Sequence, residues 1–268
     1  MSIPKRIYYC WFGDSPISKE IEKCIASWKK SCPDFEIIKV CEQNYDIYKI
    51  PYIRDAYKEK KWAFVSDYVR LDIIYNEGGI YLDTDVELIK SIDDFLNYES
   101  FWAIERDGCY INTGLIFGAV ANDKNVKSVL DEYEKASFYK QDGTLNLKAC
   151  TEYTTEYFES LGYKREDVNQ NINNAHIFGS KYFCPIDYNT GDIKITDETI
   201  SIHWYNMSWL KESDRLIRLK EIEIRRRWPR LLQKPVCFIY RKTYRLFEYS
   251  AEGVLFSKIK SIIIKKDN

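Results

Sequence analysis

Residues 62–88 constrain the fold of this 268-residue chain more than any other stretch. Residues 62–76 have apolar side chains nearly all round a helical wheel, which predicts a helix that is buried on every side. Gly78 and Gly79 follow, where the end of a helix needs a residue with positive φ. Residues 80–88 are then typical of a strand. A buried helix followed by a strand favours an α/β fold, and a chain of this length with 45% hydrophobic residues can bury a substantial core.

The same alternation of strand and helix begins at the N-terminus and continues after residue 88. Strand, helix, strand is the start of a parallel α/β sheet, whose ligands lie at the carboxyl ends of its strands. The sequence therefore predicts the α/β class. The strands are predicted over 5–12, 35–40, 101–105 and 111–117, and the helices over 18–30, 124–136 and 153–161.

Charge is distributed unevenly along the chain, although the formal net charge is only -1. Residues 211–268 hold 16 Lys and Arg against 7 Asp and Glu, whereas residues 1–210 hold 24 against 34. We therefore expect a domain over residues 1–210 and a basic, mainly helical extension over residues 211–268. The small net charge and the lack of a recognised motif argue against a nucleic-acid partner.

The eight cysteines show no CxxC pair and no regular spacing, which favours free thiols over a zinc site or a disulfide framework. The N-terminal residues lack the apolar segment of a secretory signal, and no apolar stretch is long enough to span a bilayer. The expected location is cytoplasmic, with a peripheral position on the inner face of the plasma membrane as one option for the basic extension.

Two aspartates, Asp83 and Asp85, follow the paired glycines at alternate positions. In a strand they and Tyr81 would point to the same face. Proteins usually hold Mg²⁺ or Mn²⁺ through one or two carboxylates together with substrate phosphates. The pair therefore predicts a metal site that serves a diphosphate-linked substrate, although two acids at this spacing also occur by chance.

The preceding helix adds an acid and a base on the same side. Ala63, Asp67, Arg70 and Ile74 fall on one stripe of that helix, at steps of four, three and four residues. A buried charged pair is a poor device for stability alone, because its desolvation cost is large. The Asp67–Arg70 pair therefore indicates a site for hydroxyl, phosphate or sugar oxygens. An ion pair that merely fixes the helix to the sheet is the competing interpretation.

A resemblance to the DXD-type sugar-transferase family is carried by Ala63-Phe-Val-Ser-Asp-Tyr-Val-Arg70 and by Tyr75-Asn-Glu-Gly-Gly-Ile-Tyr-Leu-Asp-Thr-Asp-Val86. More narrowly, these segments look like glycosyltransferase family 32. That family includes bacterial capsule and exopolysaccharide transferases and, more distantly, the glucosylating clostridial toxins. The first strand also resembles the family's, although the usual histidine is replaced around Tyr8 and Tyr9.

The resemblance implies a GT-A fold, which is a Rossmann-like mixed sheet with helices on both faces. It also implies a retaining transfer of a hexose from a nucleotide sugar, with Mn²⁺ or Mg²⁺ as cofactor. The implied acceptor is a saccharide or a lipid-linked saccharide in surface polysaccharide synthesis. We favour a UDP-sugar, with UDP-galactose first, by analogy only. The acceptor hydroxyl would attack as the diphosphate leaves, because no residue stands out as a covalent nucleophile.

The resemblance also implies roles for individual residues. Around the donor, Trp11 would stack on the base, Tyr81 would contact the donor, and Asn112 would lie near the donor sugar. Asp67 and Arg70 would hold the donor sugar or ribose, and Asp83 and Asp85 would bind ribose and metal. The late segment with His203, Ser208 and Trp209 would close over the metal and the diphosphate.

Purely structural interpretations compete with several of these roles. His203 could be an ordinary buried histidine and Trp11 a core residue, while His176 is expected to be structural. Glu105, at a strand end, could reach an acceptor, although an exposed acid-rich turn is the more common outcome for such a sequence.

Two other functions remain as alternatives. Residues 82–86 also resemble the catalytic loop of haloacid-dehalogenase phosphatases, but that loop normally follows the first strand of its domain. A non-catalytic carbohydrate-binding protein would use the abundant aromatic residues as sugar platforms. For the basic extension, an anionic membrane surface and packing on the acidic body both remain open.

Overall fold

The computed structural model describes residues 2–206 and 212–251, except for the side chains of residues 249–251. The chain divides into two compact units. One comprises Met1–Tyr188 and Ile193–Trp209, and the other comprises Asn189–Asp192 and Leu210–Asn268. The assignment of catalysis to residues 1–210 remains a prediction.

The first unit alternates strands and helices. Its strands are β1 (Arg6–Cys10), β2 (Glu36–Val40), β3 (Gly79–Tyr81), β4 (Val86–Leu88), β5 (Ser100–Ala103), β6 (Phe117–Ala119), β7 (Gln170–Ile172), β8 (Ala175–Phe178) and β9 (Ser201–His203). Its helices are α1 (Lys19–Ser31), α2 (Pro51–Lys58), α3 (Trp62–Glu77), α4 (Lys124–Lys135), α5 (Cys150–Ser160) and α6 (Ser180–Phe183), with a 3-10 turn at Asp93–Asn97.

Seven strands form one mixed sheet in the order β2-β1-β3-β6-β5-β8-β7. The pairs β1–β2, β1–β3 and β5–β8 are parallel, and the other three pairs are antiparallel. The strands β4 and β9 pair separately as an antiparallel ribbon. The α/β class with a mixed sheet, as predicted, is confirmed.

Hydrophobic side chains cover both faces of the sheet, because successive residues of a strand point to opposite sides. Tyr8 and Tyr81 belong to the core that α3, α4 and α5 cover, whereas Ile7 and Ile80 belong to the core that α1 and α6 cover. On that second side, the indole of Trp28 in α1 donates to the carbonyl of Val86 at 2.7 Å. Helices therefore lie on both faces, as the sequence predicts.

The helix α3 is buried from Val65 to Asp72 and again at Ile74, and its last turn ends at Gly78 with φ of 65°. A Cβ at Gly78 would lie 2.8 Å from the backbone nitrogen of Ala121, so both the positive φ and the space require glycine. The amphipathic helix α2 follows β2 and was not predicted from the sequence. Its Tyr52 packs edge to face against Tyr133 of α4.

The second unit contains two helices, α7 (Glu212–Arg227) and α8 (Arg230–Ala251). Their interface includes the buried Glu221, which accepts hydrogen bonds from Arg241 at 2.9 and 2.6 Å. The predicted helical character of the basic region is confirmed for these residues. No helix in the described ranges is both long and apolar enough to cross a membrane.

Candidate active site

Asp83 and Asp85 lie in the short loop between β3 and β4, not within one continuous strand. The prediction of a strand over residues 80–88 is wrong in its middle, because β3 belongs to the main sheet and β4 pairs with β9. The chain turns between them: the Asp83 N–H donates to the Gly114 carbonyl at 3.0 Å, and Val86 N–H donates to the Asp83 carbonyl at 3.1 Å. The two carboxylates nevertheless converge.

The ribbon of β4 and β9 brings His203 to the aspartates, because Val86 pairs with His203 across it. His203 Nε2 lies 3.1 Å from Asp85 Oδ1. The other carboxylate oxygen of Asp85 accepts from the backbone N–H of Asn206 at 2.8 Å. The other histidine of the chain, His176, was expected to be structural. It lies on β8 against the rings of Tyr98 and Phe178, which gives it a packing role.

The charges of Asp85 and His203 stabilise each other. Burial works to raise the pKa of Asp85, but the charge of His203 and their hydrogen bond outweigh it, so the pKa is lowered. Burial works to lower the pKa of His203, but the charge of Asp85 and the hydrogen bond to it outweigh burial, so the pKa is raised. The ionised pair is therefore favoured in this buried setting.

Arg70 joins the helix α3 to the loop that carries the aspartates. Its guanidinium lies 3.2 Å from Asp67 Oδ1 and 3.1 Å from Asp83 Oδ1, and its exposed side-chain fraction is only 3%. The Tyr81 hydroxyl donates to the same oxygen of Asp83 at 2.9 Å, and the guanidinium lies over the Tyr81 ring. One buried cation thus faces two carboxylates, so the two aspartates carry more negative charge than Arg70 neutralises.

Asp67 belongs to α3, and Cys150 lies at the start of α5. Burial raises the pKa of Asp67 to about 6, although Arg70 and Cys150 act to lower it. The Cys150 thiol also lies 3.7 Å from Arg70 Nη1. Asp67 and Arg70 therefore share their surroundings with a free thiol that was not predicted to lie here.

Gly114 and Asn112 form the wall opposite Asp83. A Cβ on Gly114 would lie 2.2 Å from Asp83 Oδ2, so no other residue fits without moving the carboxylate. The Gly114 N–H donates to Asn112 Oδ1 at 2.7 Å, and Asn112 Nδ2 donates to Glu105 Oε1 at 2.5 Å. Both ends of the Asn112 amide are thereby oriented.

Glu105 also lies in the site, beside Asn112 and near the charge of His203, although an exposed turn was expected there. Burial raises its pKa to about 7, while the hydrogen bond from Asn112 and the charge of His203 act to lower it. An acid-rich turn, Glu105-Arg-Asp107, gives no signal that its first carboxyl group is buried. Glu105 lies two residues after β5, at the edge where ligands gather in α/β sheets, and this position was the signal that could have indicated its role.

One predicted residue, Trp11, stands apart from this cluster. Trp11 follows β1, is partly exposed, and its indole N–H donates to the carbonyl of Ser15 at 2.8 Å. No contact between Trp11 and the aspartates is seen in the described part of the chain. Ser208 and Trp209 lie outside the described residues.

The aspartates and His203 fit a divalent cation. One ligand atom from each of Asp83, Asp85 and His203 lies within 4.8 Å of the other two. His203 Nδ1 is buried and has no hydrogen-bond partner among the described residues. Two carboxylates and an imidazole are ligands that a first-row divalent ion accepts. The geometry therefore offers a metal site of three protein ligands, and the roles of the individual residues stay predictions.

Comparison with known families supports a glycosyltransferase. Residues 18–102 match the family model described as "Glycosyltransferase sugar-binding region containing DXD motif". The matched residues include α3 and both aspartates of the loop. A search of curated protein sequences gives no match.

Solved structures of glycosyltransferases are similar to the chain at low identity. "PaToxG Glycosyltransferase" is 18% identical with a TM-score of 0.46, covering 59% of this chain and 69% of that one. A glycosyltransferase "involved in the glycosylation of the major capsid of PBCV-1" is 14% identical with a TM-score of 0.45, covering 81% and 98%. The galactosyltransferase LgtC is 13% identical with a TM-score of 0.42, covering 85% and 99%. Likenesses at this level do not assign a donor or an acceptor.

Proposed function

We propose that the chain is a metal-dependent, retaining glycosyltransferase of the GT-A type, within family 32, that transfers a hexose from a nucleotide sugar. One observation carries this proposal. Asp83, Asp85 and His203 present ligand atoms within 4.8 Å of one another, directly beside the buried Arg70–Asp67 pair. A cation site next to a buried, hydrogen-bonding charged pair suits a substrate that carries both a diphosphate and sugar hydroxyls.

The donor diphosphate would lie at the cation site. Mn²⁺ is favoured over Mg²⁺, because Mg²⁺ prefers an all-oxygen octahedron and His203 supplies a nitrogen. When bound, the cation would supply Lewis-acid stabilisation of the charge that develops on the departing diphosphate. Asp83 and Asp85 would be its carboxylate ligands, and the hydrogen bond from Asn206 N–H orients Asp85.

Asp67 and Arg70 would bind the donor sugar or its ribose. Arg70 already contacts two carboxylates and Ser66, so its orientation is fixed before the substrate arrives. Fixed polar groups cost less to order on binding, which favours affinity and rate. Tyr81 would act through Asp83, since its hydroxyl is bonded to that carboxylate. Trp11 would stack on the base.

Asn112 and Glu105 would face the transferred sugar. Asn112 Nδ2 has a second N–H in addition to the one it donates to Glu105, and that N–H is available to a sugar oxygen. In the retaining step, the acceptor hydroxyl oxygen bonds to the anomeric carbon as the bond to the diphosphate breaks. The hydroxyl proton passes to a phosphate oxygen of the leaving group, so no protein nucleophile is required.

The donor and acceptor follow by analogy with the family. We propose a UDP-sugar, UDP-galactose first, and a saccharide or lipid-linked saccharide acceptor in surface polysaccharide synthesis of the capsular type. Cytoplasmic location, with peripheral attachment to the inner face of the plasma membrane, would place the enzyme beside such an acceptor.

Turnover of a panel of UDP- and GDP-sugars with Mn²⁺ tests the proposal. Release of nucleoside diphosphate, with the anomeric configuration of the product read by NMR, is expected for a retaining transferase. Nucleotide-sugar binding without turnover would favour a carbohydrate-binding protein. Hydrolysis of a simple phosphate ester would favour the phosphatase, in which Asp83 would be the nucleophile.

A further inference from the structure

The helix α8 has two different faces, and only one of them is used within its own unit. Cys237 is buried there, and Arg241 is bonded to Glu221 of α7. Arg245 forms ion pairs with Asp214 of α7 and with Glu248. These contacts satisfy the polar groups on the side of α8 that packs against α7.

The opposite face of α8 is apolar and exposed. Leu231, Phe238 and Leu246 are 91%, 59% and 56% exposed, and Ile239 beside them is 60% exposed. With Pro235 and Lys242, these residues recur at steps of four, three, four and four, which is one stripe of a helix. We call this set, Leu231, Pro235, Phe238, Ile239, Lys242 and Leu246, the α8 stripe.

Two cations without acidic partners lie on or beside the α8 stripe. Lys242 belongs to the stripe, and Lys234 lies one helical turn before Phe238. Neither has a carboxylate within salt-bridge distance among the described residues, and Lys242 lies over the Phe238 ring. The acidic residue of α8 is Glu248, which faces Arg245. The stripe therefore presents apolar side chains and positive charge, with no acidic residue among them.

We propose that the α8 stripe binds an anionic lipid bilayer, with α8 lying in the plane of the headgroups. An amphipathic helix of this composition buries its apolar side chains at the acyl boundary, while Lys and Arg contact anionic headgroups. A second copy of the chain is a poorer occupant, because a symmetric contact would bring unpaired cations of both stripes together. The Trp228 side chain, 45% exposed in the turn before α8, adds a ring suited to the interface.

Flotation of the purified full chain with vesicles tests this inference. Phosphatidylcholine vesicles containing phosphatidylglycerol should carry the protein upward in low salt, and pure phosphatidylcholine vesicles should carry much less. The double variant Lys234→Gln/Lys242→Gln should reduce binding at least about tenfold. Phe238→Ser/Leu246→Ser should reduce it further, with the helix content checked by circular dichroism.

Leu147→Ser is the matched control, because Leu147 is 53% exposed in the first unit. That variant should float like the unaltered protein. Equal flotation of all variants, or none of the unaltered protein, would overturn the proposal. So would a dimer in light scattering that the Phe238→Ser/Leu246→Ser variant converts to a monomer, since self-association would then explain the stripe. The assay contains no nucleotide sugar, so its outcome is independent of the proposed transfer reaction.

Discussion

Gly114 constrains Asp83 through a hydrogen bond and through a close approach. The Gly114 carbonyl accepts from the Asp83 N–H at 3.0 Å, and a Cβ added to Gly114 would lie 2.2 Å from Asp83 Oδ2. The loop between β3 and β4 is thus held against the segment before β6 at the point where the candidate metal ligands converge. A single methyl group at Gly114 is therefore expected to displace the carboxylate.

The variant Gly114→Ala should lower transfer activity by more than about tenfold, with a loss of stability of roughly 1–3 kcal/mol from overpacking. Activity and melting temperature are the measurements. Gly179→Ala is the control, because its Cβ would lie 3.2 Å from the carboxylate of Asp167, away from the cluster. Equal loss of activity in both variants would mean that the effect is one of general stability.

Replacement of Asp85 by Asn should weaken Mn²⁺ binding by more than about a hundredfold, because it removes a charged ligand beside His203. Isothermal titration or the EPR signal of free Mn²⁺ measures this directly. Asp94→Asn, an exposed carboxylate in the 3-10 turn, should leave Mn²⁺ affinity unchanged. Unaltered affinity of the Asp85→Asn protein would remove Asp85 from the metal site.

The variant Asp67→Asn separates donor binding from structural support. It removes the charge 3.2 Å from Arg70 but keeps the size of the side chain and one carbonyl oxygen. We expect donor affinity to fall about 10- to 100-fold, the effect of losing a charge-assisted hydrogen bond, with a small change in melting temperature. A collapse of stability with donor affinity intact would assign the pair to the fold.

Glu105 should make stability depend on pH. Burial raises the pKa of its carboxyl group from 4.5 to about 7, so the folded state holds the proton more tightly than the unfolded state. The stability from that protonation is present below about pH 4.5 and is lost as pH rises through about 7. The full effect corresponds to roughly 3 kcal/mol.

Melting temperatures measured in EDTA from about pH 5 to about pH 8 test this dependence. Glu105→Gln, which keeps an acceptor for Asn112, should melt above the unaltered protein at the upper end of the range and close to it at the lower end. The exposed Glu166→Gln serves as control and should follow the unaltered protein throughout. If the melting temperatures of Glu105→Gln and the unaltered protein changed with pH in parallel, the pKa of Glu105 would not be raised in the folded state.

Local signals in the sequence were enough for much of the fold. The helix α3 was predicted because apolar residues surround it and glycine follows it, and Gly78 does take a positive φ. The break between β3 and β4 was not predictable in this way. Its cause is the pairing of β4 with β9, whose residues lie far along the chain and carry no periodic signal of their partner.

The candidate site was predictable to the extent that its residues are close in sequence. Asp67, Arg70, Asp83 and Asp85 fall within 19 residues of one another, and the structure brings them together as predicted. Cys150 and Glu105 were not predicted to lie there, because burial of a thiol or a carboxyl group depends on tertiary packing. The sequence pattern around Glu105 is that of a solvated turn.

The ribbon of β4 and β9 joins distant parts of the chain. Beside it, the hydrogen bond between Asn206 and Asp85 spans 121 residues of sequence. A chain still emerging from the ribosome carries both aspartates long before it carries His203. The three-ligand site therefore cannot exist until the first unit is almost fully synthesised, and loop closure must then bring the late strand into place. Metal affinity is for this reason a measure of late folding: a nascent chain stalled before β9 should hold the cation only as weakly as two carboxylates allow.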